Sequence, residues 1–126
     1  MAELLDRADA VSLHVPVTDE THHLVDAHFL SRLRRGAVLV NTSRGALVDE
    51  HALAASLADG HLAAAALDVF EPEPLSEDSP LRRLANVILT PHAAFYSDDS
   101  VEALQRLATE EAGRALAGEP LRSRVA

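Results

Sequence analysis

Three side chains of this chain have the chemistry of an acid–base site. Arg44 follows Asn41-Thr42-Ser43, and its planar guanidinium can bind a carboxylate through two parallel hydrogen bonds. His92 carries an imidazole, which exchanges protons near neutral pH. Glu73 lies between two prolines, and this stiff stretch could hold its carboxylate beside an imidazole and fix the ring tautomer. Together these residues could bind an acid and move a proton.

Each of these residues also has a plainer structural explanation. Arg44 could neutralise a helix end at the surface, and His92 could be a partly buried histidine held by a backbone group. Glu73 could be one more acid in a solvated loop. Asp68 follows an apolar run, where an unpartnered buried acid is costly, so it could serve a site or bind loop amides. The residues alone leave these alternatives open.

Strand and helix signals alternate along most of the chain. We predict strands over 11–15, 37–40, 63–69 and 86–89, helices over 27–33, 51–58 and 97–118, and allow a short helix within 2–10. Asp26 and Asp49 are the expected N-caps, and the Pro-, Glu- and Ser-rich segment 70–83 is a predicted loop. Continuous apolar runs such as 37–40 favour strands buried on both faces. The pattern predicts an α/β fold with a partial, Rossmann-like (doubly wound) parallel sheet and flanking helices.

Polar residues cluster after the predicted strands. Ligands bind beyond the carboxyl ends of the strands in open α/β sheets, so these positions predict the place of a site. The residues that follow the four strands are His14, Val15 and Pro16; Asn41, Thr42, Ser43 and Arg44; Asp68, Glu71 and Glu73; and Thr90, Pro91 and His92. We predict that the functional site lies at this edge.

The composition argues against several classes of function. A net charge of −9 disfavours binding to nucleic acid or to anionic membranes, which requires a basic surface. The chain has no cysteine, so it has neither disulfides nor thiolate metal sites. No apolar run is long enough to span a bilayer, and we expect a cytoplasmic location.

Two further kinds of site are not predicted. His22, His23 and His28 lack the spacing of an HExxH motif, so we expect no metal site. Ser43 lies in Thr-Ser-Arg-Gly and not in a Gly-x-Ser-x-Gly elbow, which disfavours a serine nucleophile.

Four motifs, taken together, resemble the D-isomer-specific 2-hydroxyacid dehydrogenase family. They are Ser12-Leu13-His14-Val15-Pro16, Asn41-Thr42-Ser43-Arg44-Gly45 with Val48-Asp49, Leu67-Asp68-Val69-Phe70 with Glu73-Pro74, and Thr90-Pro91-His92. Each motif is weak alone, but all four in this order and spacing are specific. The resemblance covers residues 8 to about 120. It implies an NAD(P)-dependent oxidoreductase that moves hydride between a nicotinamide cofactor and a D-2-hydroxy or 2-keto acid.

The resemblance also implies roles for individual residues. Arg44 would anchor the substrate carboxylate, His92 would donate and accept the proton at the substrate oxygen, and Glu73 would orient His92. The implied cofactor-binding residues are Val15, Pro16, Thr42, Ser43, Arg44, Asp68, His92 and Ala94. The implied cofactor is NAD, with NADP left open, and the small acid is the expected partner. We also expect a homo-oligomer.

The stretch after His92 departs from the more usual His-x-Gly pattern of the family. Two alanines are followed there by Phe95 and Tyr96, which resembles the branch of the C-terminal-binding-protein co-repressors. This resemblance keeps a second function open, in which the chain is a non-enzymatic, NAD(H)-responsive binding or dimerisation module.

A phosphate-binding turn is not encoded in these residues. None of the five glycines forms the Gly-x-Gly pair that brings backbone amides to a pyrophosphate. We therefore expect residues 1–126 to be the C-terminal portion of a nicotinamide-dinucleotide-binding domain, with 97–118 as a long terminal helix. The glycine-rich half and the substrate domain are expected to be absent from it.

Overall fold

Four parallel strands form one sheet in the computed structural model, which describes residues 2–122. The strands are β1 (Ala10–Leu13), β2 (Val38–Asn41), β3 (Ala64–Leu67) and β4 (Val87–Leu89). The α-helices are α1 (Ala2–Arg7), α2 (Ala27–Arg32), α3 (Glu50–Ala58) and α4 (Asp98–Ala117). Two short 3₁₀ helices cover Gly45–Leu47 and Pro80–Arg83. The chain divides after Ala94 into two units, the first with the sheet and the second with α4.

The sheet confirms the predicted α/β fold. Its strand order is β1-β2-β3-β4, and every neighbouring pair is parallel. Helix α2 connects β1 to β2 and α3 connects β2 to β3. Right-handed crossovers between consecutive strands place both helices on one face, and α2 and α3 contact each other. This order without a reversal corresponds to one half of a Rossmann-like sheet.

The two predicted helix caps are confirmed. The carboxylate of Asp26 accepts a hydrogen bond from the amide of Phe29 at 2.8 Å, at the start of α2. The carboxylate of Asp49 accepts bonds of 3.0 Å from the amides of His51 and Ala52, at the start of α3. Each cap supplies an acceptor to amides that have no partner within the helix, and so fixes where the helix begins.

The apolar core lies on one face of the sheet. Burial alternates along β2, where Leu39 and Asn41 are buried while Val38 and Val40 are half-buried. The expectation that the strands are buried on both faces is therefore wrong for this strand. A continuous apolar run shows that either face can be covered, but it does not tell which face is.

Small differences separate the predicted and observed element boundaries. Three strands are shorter than predicted, whereas β2 has the predicted length and begins one residue later. The second 3₁₀ helix falls in the predicted loop, and the first lies between a predicted strand and a predicted helix. Pro80 begins the second of these helices, where its fixed φ suits the first helical position. Such single turns bury few side chains, so they leave little apolar periodicity in the sequence.

Local interactions define the second unit. Helix α4 begins at a capping box formed by Ser97 and Ser100 and ends at Gly118, which adopts a left-handed conformation with φ of 70°. Arg106 pairs with Glu110 one turn later at 3.1 Å. Among the described residues, no helix combines the length and the apolar character needed to cross a membrane.

We predict that the buried face of β2 carries much of the stability of the first unit. Leu39 is 0% exposed and Ile88, on the edge strand β4, is 66% exposed. Replacing Leu39 by Ala should lower the free energy of unfolding by about 2–5 kcal/mol, because it leaves a cavity in the core. The matched change Ile88→Ala should cost less than about 1 kcal/mol. Urea unfolding followed by circular dichroism measures both, and equal losses would contradict the assignment of the core.

Candidate active site

The four strands end at one edge of the sheet, as predicted. The register pairs Leu13 with Asn41, Asn41 with Leu67 and Leu67 with Leu89, so the last residues of the strands are neighbours. The segments that follow them therefore lie close together. This places the polar residues after each strand in one region of the first unit.

A buried asparagine shapes the turn that carries Arg44. The side-chain amide of Asn41 donates to the carbonyl oxygen of Arg44 at 2.8 Å, and its side-chain oxygen accepts from the amide of Ser43 at 3.0 Å. The hydroxyl of Ser43 donates to the carbonyl oxygen of Leu13 at 2.6 Å, which ties the turn to the end of β1. The guanidinium of Arg44 is exposed and donates to the carbonyl oxygen of Ser43 at 2.7 Å.

A close backbone approach joins this turn to the loop after β3. Gly45 is buried, and a Cβ atom built there would overlap the backbone carbonyl group of Phe70. Only glycine permits that approach, so residue 45 fixes the spacing between the segment of Arg44 and the segment of Glu73.

Glu73 bridges the loop backbone and the imidazole of His92. One of its carboxylate oxygens accepts from the amide of Phe70 at 3.0 Å, and the other lies 2.9 Å from Nδ1 of His92. A carboxylate can only accept, so Nδ1 carries the proton of this bond. The bond from His92, supported by the Phe70 amide, holds the pKa of Glu73 below its usual value.

The carboxylate of Asp68 is buried beneath the turn that follows β4. One oxygen accepts from the Thr90 hydroxyl and from the Ala93 amide, and the other accepts from the Ala94 amide. Burial raises the pKa of Asp68, but the bonds from Thr90, Ala94 and Ala93 together outweigh burial, so its pKa lies below the usual value. The explanation that Asp68 binds loop amides is therefore correct. Its direct contact with a cofactor stays a prediction.

This turn holds His92 in a conformation that few side chains adopt. Its φ is 53°, and its amide donates to the carbonyl oxygens of Asp68 at 2.8 Å and Thr90 at 3.1 Å. The left-handed region is uncommon for residues other than glycine, and histidine is among those enriched there. A strained backbone of this kind, held by several bonds, is frequent at functional sites.

Six of the predicted site residues line two clefts of the first unit that share Val17 and Arg44. The catalytic cleft, as we call it, has a volume of about 470 Å³ and contains all three predicted catalytic residues. It is lined by Val17, Arg44, Gly45, Ala46, Phe70, Glu71, Pro72, Glu73 and His92. The Val15 cleft, also about 470 Å³, is lined by His14, Val15, Pro16, Val17, Ser43 and Arg44. Thr42 and Ala94 are exposed at the strand-end edge, and their part in binding stays a prediction.

Sequence reasoning missed several residues that build the site. The sequence places Asn41 among the polar residues after a strand and Gly45 within a motif, but it does not indicate that either residue shapes the loops of the site. The structure also brings His22 and His23 against Glu71, a grouping that the sequence did not indicate because 48 residues separate His23 from Glu71.

Most of this sequence matches the model of a known protein family. The model of the D-isomer specific 2-hydroxyacid dehydrogenase, NAD binding domain, matches residues 1–94. The chain belongs to this family. The strand-end motifs that carried the sequence resemblance lie within the matched residues.

Two named proteins, a dehydrogenase and a reductase, are similar in sequence to most of this chain. An (S)-sulfolactate dehydrogenase of Chromohalobacter salexigens is 49% identical over 116 residues, which are 92% of this chain and 38% of that protein. A glyoxylate reductase of Korarchaeum cryptofilum is 47% identical over 110 residues, 87% of this chain and 33% of that protein. This chain thus spans about a third of either relative. Neither name supports a place in the co-repressor-like branch.

A solved structure of the same family has the same fold. It is a D-isomer specific 2-hydroxyacid dehydrogenase from Xanthobacter autotrophicus Py2 in complex with NADPH and MES. Its TM-score with this chain is 0.86 at 41% identity, and the match covers 99% of this chain and 51% of the other.

We predict that Gly45→Ala disturbs the two loops that carry Arg44 and Glu73. The added methyl group would overlap the Phe70 backbone, so one loop must move, at a cost of about 1–3 kcal/mol in the free energy of unfolding. Gly113→Ala is the matched control, because a Cβ there meets nothing within 4 Å and the residue lies inside α4. It should preserve stability or raise it by up to about 1 kcal/mol. Urea unfolding would contradict the prediction if both variants kept wild-type stability.

We predict that Asp68→Asn destabilises the first unit at neutral pH. An amide NH₂ would face one of the donors that the carboxylate accepts, at a cost of about 1–3 kcal/mol. Because the pKa of Asp68 is lowered by folding, its contribution is complete above about pH 4 and is lost as the pH falls through the folded-state value.

The stability difference between wild type and Asp68→Asn should therefore shrink in acid. Unfolding free energies measured from pH 7 to below pH 4 test this, with the exposed Asp19→Asn as the control. A difference that stays constant or grows as the pH falls would refute the assignment.

Proposed function

We propose that this chain carries the catalytic and nicotinamide-side part of the active site of an NAD(P)-dependent D-2-hydroxyacid dehydrogenase. The observation that supports it most is the meeting of Arg44, Glu73 and His92 in one cleft, with Glu73 bound to Nδ1 of His92 at 2.9 Å. Reduction of a 2-keto acid requires a cation that binds the substrate carboxylate and an oriented imidazole that donates a proton to the carbonyl oxygen.

Each of the three residues has a different role in that reaction. Arg44 binds the substrate carboxylate by paired hydrogen bonds, because its guanidinium is exposed in the catalytic cleft. His92 gives a proton from Nε2 to the carbonyl oxygen during reduction and takes it back during oxidation of the alcohol. Glu73 acts through His92, since its bond to Nδ1 fixes the tautomer and supports the imidazolium.

The residues of the Val15 cleft fit a nicotinamide group. Val15, Pro16 and Val17 offer an apolar surface, and Ser43 and Arg44 offer polar atoms at its edge, which suits a ring that carries an amide. The nicotinamide, when bound, supplies or accepts the hydride. The family is named for NAD, and the related Xanthobacter structure contains NADPH, so we propose NAD with NADP left open.

The proposed substrate class is supported by the cationic anchor in the catalytic cleft and by the names of related proteins. About 470 Å³ with one cationic anchor suits a small 2-keto or 2-hydroxy acid, and the relatives named for sulfolactate and glyoxylate act on acids of that kind by name. These names do not favour the alternative of a non-enzymatic co-repressor-like module.

Further predictions from the sequence accompany this proposal. We propose that residues 1–126 are the C-terminal portion of a dinucleotide-binding domain, because the family model of that domain matches residues 1–94 and these residues contain no Gly-x-Gly turn. The cytoplasmic location, the absence of nucleic-acid binding and the homo-oligomeric state stay predictions.

The function is tested by reduction of glyoxylate and related 2-keto acids with NADH or NADPH, using the gene product that contains these residues. Arg44→Ala should lower kcat/KM by about ten- to a hundredfold, because a charge-assisted pair contributes about 1.5–3 kcal/mol. His92→Asn should lower kcat by about 10²–10⁴ while preserving the fold, since asparagine also tolerates a positive φ.

The exposed Arg83→Ala, in the second 3₁₀ helix, is the control for loss of a positive charge. It should leave kcat/KM unchanged. Reduction of 2-keto acids that is unaffected by Arg44→Ala and His92→Asn would refute the proposal, as would failure of the gene product to reduce any 2-keto acid with either cofactor.

A further inference from the structure

A second cluster of titratable side chains shares one residue, Glu71, with the lining of the catalytic cleft and has no assigned part in the proposed reaction. It consists of His22, His23 and Glu71. Nε2 of His22 and Nε2 of His23 each lie 3.5 Å from the same carboxylate oxygen of Glu71. The two imidazole rings stack with their centres 4.1 Å apart. Among residues 2–122, this is the one group of His, Asp or Glu whose three potential ligand atoms all lie within 4.8 Å of one another.

The distances in this cluster suit a metal ion better than direct hydrogen bonds. A good hydrogen bond from an imidazole to a carboxylate measures about 2.7–3.2 Å, which is shorter than the 3.5 Å observed for both pairs. Two atoms that each lie about 2.1 Å from a tetrahedral ion are about 3.4 Å apart. The separation between each histidine nitrogen and the Glu71 oxygen thus matches one edge of a tetrahedral coordination shell. Because the two rings are stacked and nearly parallel, they would have to turn apart for both nitrogen lone pairs to point at one ion.

Backbone hydrogen bonds hold both histidines in place. The amide of His22 donates to the carbonyl oxygen of Thr18 at 2.9 Å, and the amide of His23 donates to that of Ala46 at 2.8 Å. The hydroxyl of Thr21 donates to the carbonyl oxygen of Pro16 at 2.7 Å. His23 also has a φ of 50°, which turns the chain so that consecutive side chains reach the same carboxylate instead of pointing apart.

Glu71 is positioned from a different part of the fold. Its amide donates to the side chain of Glu50, at the start of α3, at 3.3 Å. The cluster therefore connects the segment after β1 with the loop after β3. All three side chains are close to half exposed, which gives an ion a path of entry and leaves room for water as a fourth ligand.

We propose that His22, His23 and Glu71 bind a divalent transition-metal ion, with Zn²⁺ as the best match. Two imidazole nitrogens and one carboxylate oxygen form a ligand set that zinc accepts with an open fourth position. Imidazole nitrogen selects against Mg²⁺ and Ca²⁺, which prefer oxygen ligands. The bound ion would join the loop of Glu71 to the segment of His22 and His23, at the edge of the catalytic cleft that Glu71 also lines.

Calorimetric titration of the untagged, metal-free protein with Zn²⁺ tests the site directly. We expect one equivalent to bind with a dissociation constant in the micromolar range, and a rise in the unfolding temperature that EDTA reverses. His22→Ala and Glu71→Gln should each weaken Zn²⁺ binding by about tenfold or more, because each removes one ligand. Mg²⁺ should give no comparable heat or shift in the same experiment.

His28→Ala is the matched control, since His28 is also exposed but lies on α2 outside the cluster. It should leave the affinity for Zn²⁺ within about twofold of the wild-type value. Absence of Zn²⁺ binding to the wild-type protein would overturn the proposal. So would equal binding by His22→Ala, Glu71→Gln and His28→Ala. Circular dichroism of each folded variant separates loss of the site from loss of the fold.

Discussion

The carboxylate of Asp68 is the acceptor on which the position of His92 depends. It accepts hydrogen bonds from the Thr90 hydroxyl, which precedes His92 in the chain, and from the amides of Ala93 and Ala94, which follow it. The His92 backbone is thereby held at a positive φ that it would rarely adopt alone. A buried charge is costly unless several donors satisfy it, and here the donors belong to the turn that the charge organises. The same hydrogen bonds therefore stabilise the charge of Asp68 and fix the conformation of the turn that carries His92.

Two further constraints bring Arg44 and Glu73, the other predicted catalytic residues, to His92. Asn41 completes the hydrogen bonds of the turn that carries Arg44, and Gly45 allows that turn to approach the backbone of Phe70. The amide of Phe70 in turn binds Glu73, whose second oxygen reaches His92. The site is thus built from backbone contacts between neighbouring strand ends, and each chemical group is oriented by a residue that does no chemistry itself.

The sequence predicted the sheet and the edge at which Arg44, Glu73 and His92 gather, because both depend on local signals. Apolar runs mark strands, Asp26 and Asp49 mark helix starts, and polar residues after the strands mark the edge. The partners that orient those residues were harder to predict. The contact of Gly45 with Phe70 and the convergence of His22 and His23 on Glu71 join distant parts of the chain. Neither leaves a periodic or compositional signal, since both arise only when the loops are placed by the fold.

The division of the chain into two units has a consequence for spectroscopy. The protein has one tyrosine and no tryptophan, and that tyrosine, Tyr96, belongs to the unit that begins at Phe95. Its fluorescence therefore originates outside the unit that contains the sheet and the clefts. An emission signal from this chain would follow the surroundings of Tyr96. A tryptophan introduced into the first unit would supply the optical probe that the natural sequence lacks there.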